Sequence, residues 1–393
     1  MIPEHTRDCV HCGFCLSTCP TYVLDSEEMD SPRGRIQLMD ARLGGLLPLD
    51  DTMALHFDRC LGCLACVSSC PSGVRYDRLI EATRQVVELE HRRPLGERLQ
   101  RRLLFTTLPY RRRMSLALKV APLARRLPTP RFARAMLDVA PAWRATAQAP
   151  ASLAAVGEGR GRVGLLTGCV QSAMFGEVNA ATARVLAIAG HDVVAPPQGC
   201  CGALSAHAGR AAEADRFTAK LREAFAGVDR LVVNSSGCGS YLKERELPAV
   251  DVTEALVGAS FPTLHPLELT VAYQDSCHLR HGQRLPAAWR PLFEAIPGLT
   301  VVEPAEQDLC CGSAGIYNVT QPDNARRLGD RKAGHVLATG ADALASANPG
   351  CLVQIAQALG RAGKPLPALH PVELLDASVR GVAADELLRG ARR

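Results

Sequence analysis

Residues 9–20 read CVHCGFCLSTCP and residues 60–71 read CLGCLACVSSCP. Both follow one pattern, Cys-x2-Cys-x2-Cys-x3-Cys-Pro. It sets Cys9, Cys12, Cys15 and Cys19, then Cys60, Cys63, Cys66 and Cys70, at the spacing that holds a cubane [4Fe–4S] cluster. Two structural zinc sites are the alternative use of eight thiolates. Zinc needs neither the third close cysteine nor the proline, and a twofold repeat of the same pattern is not a chance event. Two clusters make the chain a conductor of single electrons.

The rest of the chain is read around these runs. Its 393 residues leave room for two or three domains. No stretch of 18 or more apolar residues is present, so no membrane-spanning helix is expected. Met1 to Pro20 lacks an apolar core segment and already carries cluster ligands, so no signal peptide is expected there. Sixteen cysteines in a secreted chain would read as disulfides. At metal-ligand spacings they point to the reducing cytoplasm instead.

The net charge of +5 is unevenly spread. Residues 91–150 hold 14 Lys/Arg against Glu97 and Asp138, a net +12, which leaves −7 for the rest. With seven prolines, this segment reads as short helices separated by breaks. It is either a solvated linker or a docking surface for anionic lipid or an acidic partner subunit. Arg111-Arg112-Arg113 beside Leu108, Tyr110, Met114, Leu116 and Leu118 favours an amphipathic surface contact. Nothing else in the chain supports binding of nucleic acid.

Between the two runs, Ser31-Pro32 reads as an N-cap and first helical position opening RGRIQLMDARL, which Gly44-Gly45 stops. A second helix is expected from Asp50 or Asp51 into Cys60. After Cys70, Leu79, Ile80, Thr83, Val86, Val87 and Leu89 approximate one helical stripe. Residues 1–90 therefore read as a helical cluster module.

The remaining eight cysteines form two copies of one pattern: Cys169, Cys200-Cys201 and Cys238, then Cys277, Cys310-Cys311 and Cys351. Flanking sequence repeats with them. GCCGALSAHAG (199–209) matches LCCGSAGIYNV (309–319), and DVTEALV (251–257) matches HPVELLD (370–376). Each copy, 160–262 and 265–380, reads as strand–helix–strand–helix–strand, which implies a parallel sheet covered by helices. In the first copy the strands fall at about 162–167, 191–195 and 230–234. Every cysteine follows a strand's C-terminal end, where open α/β sheets build their sites. Two thiolate-lined crevices are expected. Four convergent thiolates suit an iron–sulfur cluster or zinc; a disulfide-exchanging pair at Cys200-Cys201 and plain buried cysteines are the other readings. His207, His278 and His281 stand near these cysteines, as spare ligands or as hydrogen-bonding neighbours.

The helical module resembles the α-helical ferredoxin domains of succinate-dehydrogenase-type subunits. In two-cluster ferredoxins the fourth cysteine of each run ligates the other cluster. That resemblance implies one cluster on Cys9, Cys12, Cys15 and Cys70 and another on Cys60, Cys63, Cys66 and Cys19. The Cys…Cys-Cys-Gly…Cys copies resemble the cysteine-rich domains of heterodisulfide reductase. There the last element is usually Cys-x2-Cys, whereas Tyr241 and Gln354 stand at the extra position here. The resemblance thus implies a four-cysteine cluster or an empty site rather than a five-cysteine one.

The full layout resembles the iron–sulfur subunits of glycolate oxidases (glycolate dehydrogenases), most specifically in CVHCGFCLSTCPTY, DSPRGRIQLM, GCCGALSAHAGR and CCGSAGIYN. The expected fold is α+β and multidomain: an N-terminal helical two-cluster ferredoxin domain, then a duplicated α/β cysteine-rich domain with parallel sheets. The resemblance implies a flavin subunit, carrying FAD, that oxidises glycolate to glyoxylate. This chain would pass the electrons to quinone or another acceptor, from the cytoplasm or the inner membrane face. No flavin-binding signature appears in the chain, so no catalytic residue is expected on it. Iron–sulfur subunits of glycerol-3-phosphate dehydrogenase, lactate dehydrogenase or heterodisulfide-reductase-type complexes are the alternative.

Overall fold

The computed structural model describes residues 5–391; positions 1–4 of the N-terminal module and the last two residues lie outside it. Residues 5–90 contain helices and loops and no strand among the described residues. The helix Pro32–Leu43 opens as its sequence requires: Ser31 Oγ accepts the Gly34 N–H at 2.9 Å, and Pro32 fills the first position, where no N–H is missed. Gly34 is needed for a different reason. A Cβ there would lie 1.8 Å from the Glu28 carbonyl oxygen, because the helix start packs flat on the turn Glu28–Asp30. The helix Asp51–Asp58 is capped by Asp50, which accepts the Met53 N–H at 2.9 Å.

The helix Tyr76–Glu90 buries Leu79, Ile80, Thr83 and Val87. Val86 is only half-buried, and Leu89 is 84% exposed and off the stripe. These buried residues close a small core with Ile36, Met39, Met53 and Phe57. Beside it sits a buried ionic hub. Asp30 accepts from Arg59 at 2.9 Å and Arg35 at 3.3 Å, and its carboxylate is 2.9 Å from His56 Nδ1.

The basic segment forms three helices, Leu95–Thr107, Arg111–Ala124 and Arg131–Asp138. It is not a solvated linker. Arg93 pairs with Asp58, and Arg101 bonds Glu88 at 2.7 Å and the Ala208 carbonyl at 3.0 Å, so part of its charge ties the helical module to the first cysteine-rich half. Leu104, Phe105, Met114, Leu118 and Ala121 are buried. The stripe read as one amphipathic surface is therefore divided. Met114 and Leu118 face inward, while Leu116, Arg111, Arg112 and Arg113 stay exposed.

The duplication is plain in the two sheets. Strand β1 is Ser152–Leu153, β2 Arg162–Leu166, β3 Asp192–Val194, β4 Arg230–Val233 and β5 Ala249–Asp251; they run in the order β1-β3-β2-β4-β5, all parallel except the β1 edge. In the second copy β6 is Leu269–Tyr273, β7 Leu299–Val302, β8 Ala343–Ala345 and β9 Ala368–Leu369, in the parallel order β7-β6-β8-β9. The fourth strand of each copy escapes the sequence pattern because β5 and β9 are only three and two residues long. Each runs into a capping box, Asp251 with Glu254 and His370 with Glu373, which is the physical meaning of the DVTEALV/HPVELLD match.

The two copies share one apolar core that runs from Val163 and Leu186 to Val271, Leu344 and Leu375. Arg184 clamps Asp376 across the join with two bonds of 2.8 and 2.7 Å. The copies are halves of one body.

Candidate iron–sulfur sites

The two N-terminal runs lie on loops that follow the same backbone course. Left-handed residues fall two and four positions after the first cysteine in each: His11 (φ 55°) and Gly13 (φ 85°), then Gly62 (φ 62°) and Leu64 (φ 67°). Glycine enters that region freely, whereas His11 and Leu64 each carry a strain of about 1–2 kcal/mol. Strain repeated in both loops marks a shape imposed by what the loop must enclose.

Cys19, Cys60, Cys63 and Cys66 are buried, Cys9, Cys15 and Cys70 are half-buried, and Cys12 is exposed. Cys19 lies within reach of thiols from both runs. Its charge is felt by Cys63 and by Cys66, which also feels Cys60 and Cys15. Cys9 and Cys19 both act on Cys15. Cys70 packs on the same small core as Cys9 and Cys15 of the first run and Cys60 and Cys66 of its own. Burial pushes the Cys15 thiol up to about 11, and those of Cys63 and Cys66 well above the ordinary range. Cys60 is the exception. Burial raises it, but Arg35 and Arg84 beside it, the Gly62 N–H (3.4 Å) and the Tyr76 hydroxyl (3.7 Å) together bring it below the ordinary value. Its surroundings are built for a thiolate.

The repeat cysteines do not form two crevices. All eight line one chamber of about 350 Å³ between the facing strand ends, roofed by Leu104, Met114, Leu118 and Ala121 of the basic helices. The reason is the shared core, which turns the C-terminal edges of both sheets toward each other. In the first half Cys169 Sγ is 3.5 Å from Cys200 Sγ, and Cys201 bridges Cys200 and Cys238. Sulfur–hydrogen bonds from Cys169 and Cys201 hold Cys200 well below the ordinary thiol range. In the second half Cys277 meets Cys310, and Cys311 lies 3.4 Å from Cys351. Gly202 and Ala203 donate backbone N–H groups to Cys200 and Cys201, both at 3.4 Å.

His207 and His278 line the chamber with ring centroids 5.3 Å apart, and the Nε2 atoms of both are buried without a partner. Burial holds His278 down to about 3, so it is a neutral imidazole. His281 turns away and lies 3.0 Å from Ser68 of the helical module. Tyr241 and Gln354, at the positions of the extra cysteine, are structural: the Tyr241 hydroxyl is 3.2 Å from Thr218 Oγ1, and Gln354 donates to the Ala325 carbonyl at 2.7 Å.

The donor set fits iron–sulfur clusters. It offers soft thiolates, inward backbone N–H groups and, in the chamber, two orphaned imidazole nitrogens able to hydrogen-bond sulfide. Among the described residues no three Cys, His, Asp or Glu side chains close on a point that would hold a single metal ion.

The helical module and the repeats meet at the cysteines. Cys63 packs in one apolar cluster with Cys277 and Cys310 of the second half. Cys63 feels the charge of Cys277, and Cys310 feels that of Cys63. Arg84 fixes this join by donating to the carbonyls of Cys60 and His207, and Arg327 pairs with Asp25 at 2.6 Å on the far side. Sequence spacing carries no signal for Arg84, Arg35 or the Cys63–Cys277 approach.

Residues 8–74 match the 4Fe-4S dicluster domain, and residues 163–243 and 271–356 each match the cysteine-rich domain. The chain is 35% identical to the probable glycolate oxidase iron–sulfur subunit of Bacillus subtilis, over 94% of this chain and 93% of that one. It is 36% identical to the glycolate oxidase iron–sulfur subunit of Escherichia coli, over 90% of each. The chain belongs to this family of iron–sulfur subunits. Members of the family are oxidoreductase subunits, and the dicluster and cysteine-rich domains are the parts shared more widely. The lactate utilization protein A of Oceanobacillus iheyensis matches at 27% over 56% of this chain and 98% of its own length.

Proposed function

We propose that this chain is the electron-transfer subunit of a glycolate dehydrogenase complex. It takes electrons from a flavin subunit that oxidises glycolate to glyoxylate and passes them to quinone. The observation that carries the reading is that Cys63 packs in one apolar cluster with Cys277 and Cys310, which supports taking the two groups of thiols as one line.

Iron–sulfur clusters, when bound, accept and release one electron at a time. Cys9, Cys12, Cys15 and Cys70 would hold one cluster and Cys19, Cys60, Cys63 and Cys66 a second. The two repeat tetrads would hold up to two more. The chain's own residues set the order of the line. Electrons enter at the loop of Cys12, where Val10 (68%) and Phe14 (66%) are exposed and give a partner an apolar foothold. The buried thiols of the second run lie behind it, and the chamber lies beyond them. Arg35 and Arg84 favour negative charge at Cys60. The roof of basic helices covers one side of the chamber with the apolar side chains Leu104, Met114, Leu118 and Ala121.

The exposed side of the helix Arg111–Ala124, with Leu116, Val120 and Leu123 beside Arg111, Arg112 and Arg113, suits an anionic lipid surface. Among the described residues no helix is long and apolar enough to cross a membrane, so this contact would be peripheral.

The test is anaerobic reduction. With its co-purifying partners, glycolate should bleach the visible absorbance of the protein and glycerol 3-phosphate should not. Bleaching by dithionite alone would assign the chain to another dehydrogenase.

A further inference from the structure

A second cavity lies beside the chamber and is lined by no cysteine. It is a cleft of about 970 Å³ between the stretch 134–144, the second half's helix Pro349–Arg361 and the start of the helix Pro322–Ala338. That volume is at the upper end of what small-molecule sites use. Its close neighbour with redox chemistry is the chamber, and the two share walls. Leu118, Val139, Pro141, Met174, Asn318 and Val353 line both. These shared side chains stand between a ligand in the cleft and the chamber that holds the thiols.

The cleft's chemistry selects a neutral, apolar ligand. Trp143, Phe175, Leu352 and Ala356 add to the apolar shared wall. Arginines stand at its rim, but most are already engaged. Arg125 donates to the carbonyls of Leu137 and Ala140, Arg134 pairs with Asp138 at 3.4 Å, and Arg326 and Arg361 both pair with Asp330. Arg144 is the one rim arginine without a partner among the described residues, so an anion would find one uncommitted charge against a wall that is otherwise apolar or paired. Asn318, on the shared wall, has a side-chain amide with no hydrogen-bond partner among the described residues, so a donor is available to a carbonyl oxygen there. The helix that supplies Leu118 to this wall exposes Leu116 (62%), Val120 (50%) and Leu123 (64%) on its other side. The cleft is therefore built against the helix best suited to lie on lipid, where apolar carriers dissolve.

We propose that this cleft binds a lipid-soluble quinone, with its ring at the shared wall, one carbonyl on the Asn318 amide and its tail toward the open side. The inference rests on the electron-transfer reading above and gives that reading its outlet. The balance is simple. The quinone takes two electrons across the shared wall and two protons from water at the cleft mouth, and it leaves as the quinol. The reductant is the 2-hydroxy acid, which loses two electrons and two protons on the partner subunit.

The experiment is photolabelling of the anaerobically purified complex with a short-chain azidoquinone, mapped by mass spectrometry. Label should fall on residues 134–144 and 349–361, and excess decylquinone should compete. Ala356→Phe fills the cleft and should cut labelling at least tenfold, with cluster content and dithionite reduction unchanged. Asn318→Leu, at a half-buried side chain, removes one donor and should weaken decylquinone competition by about tenfold. Label placed elsewhere, or full labelling of both variants, overturns the cleft. The donor reading fails separately. If glycolate does not bleach the protein while the cleft labels as described, the cleft stands and the substrate assignment falls. If glycolate bleaches it and the label lies elsewhere, only the cleft falls.

Discussion

Removing Asp30 and Arg35 together should cost the cluster module far less than the sum of removing each. Asp30 and Arg35 are 2% and 1% exposed at their side chains, and Asp30 is the only carboxylate that Arg35 meets among the described residues. Asp30→Ala strands a buried guanidinium. Breaking such a pair costs about 3–5 kcal/mol, because a buried charge loses its partner and gains no water. Arg35→Met leaves Asp30 with Arg59 and His56 but removes the Arg35 donors to the His56 carbonyl (2.6 Å) and Thr21 Oγ1 (3.3 Å). That change should cost about 3 kcal/mol. In the double variant no buried guanidinium is stranded, and Arg59, 32% exposed, can turn to water. Its cost should be about 4 kcal/mol, close to that of Asp30→Ala alone, so the coupling is about 3 kcal/mol. The assay is urea unfolding of anaerobic protein followed by loss of cluster absorbance. With a slope of about 1.5 kcal/mol per molar urea, Asp30→Ala should lower the midpoint by about 2.5 M. Additive costs, within about 0.5 kcal/mol, would refute the reasoning. The hub also touches the cluster ligands directly, since Thr21 Oγ1 lies 3.3 Å from Cys19 Sγ and 2.6 Å from the Asp30 carbonyl. Asp30→Ala should therefore also lower the iron content of the purified protein.

Phe14→Asp, in the exposed loop around Cys12, should weaken association with the flavin subunit at least tenfold while dithionite still reduces the chain fully; unchanged co-purification would move the point where electrons enter elsewhere. Reversing Arg111, Arg112 and Arg113 to Glu should abolish sedimentation with anionic vesicles at low salt, each lost charge being worth about 1 kcal/mol at the surface. Equal sedimentation of the variant would leave those arginines without a role at a membrane.

Much of the architecture is written locally. The cap at Ser31, the stop at Gly44-Gly45 and the stripe of Leu79, Ile80, Thr83 and Val87 are short-range signals, and helices form where they predict. Strand–helix alternation accounts for the parallel order of both halves, and the matching Cys-Cys-Gly segments for the duplication. Features with weak periodicity escape such signals. Strands β5 and β9 are too short to alternate. Leu89 is counted with the stripe in the sequence but lies two residues past Val87, about 200° around the helix, so it faces solvent while Val87 stays in the core.

The chemistry is legible without any fold, because cysteine spacing is covalent geometry. A loop of two residues between thiolates can wrap a cluster whatever surrounds it, and sixteen cysteines in four patterned groups leave little freedom. Which groups become neighbours is a different matter. That depends on one core shared by both halves, which turns two strand-end edges inward and makes a single chamber of eight thiols. It also depends on Arg84 and Arg327, which press the helical module against the two halves so that Cys63 meets Cys277 and Cys310. The basic segment changes most in meaning. Its charge is a property of composition, but only packing could direct Met114 and Leu118 onto the chamber and leave Leu116 and the three arginines outside. Contacts between residues more than 200 positions apart, such as Cys63 with Cys277, are set by the summed burial of whole surfaces, and no window of sequence contains that sum.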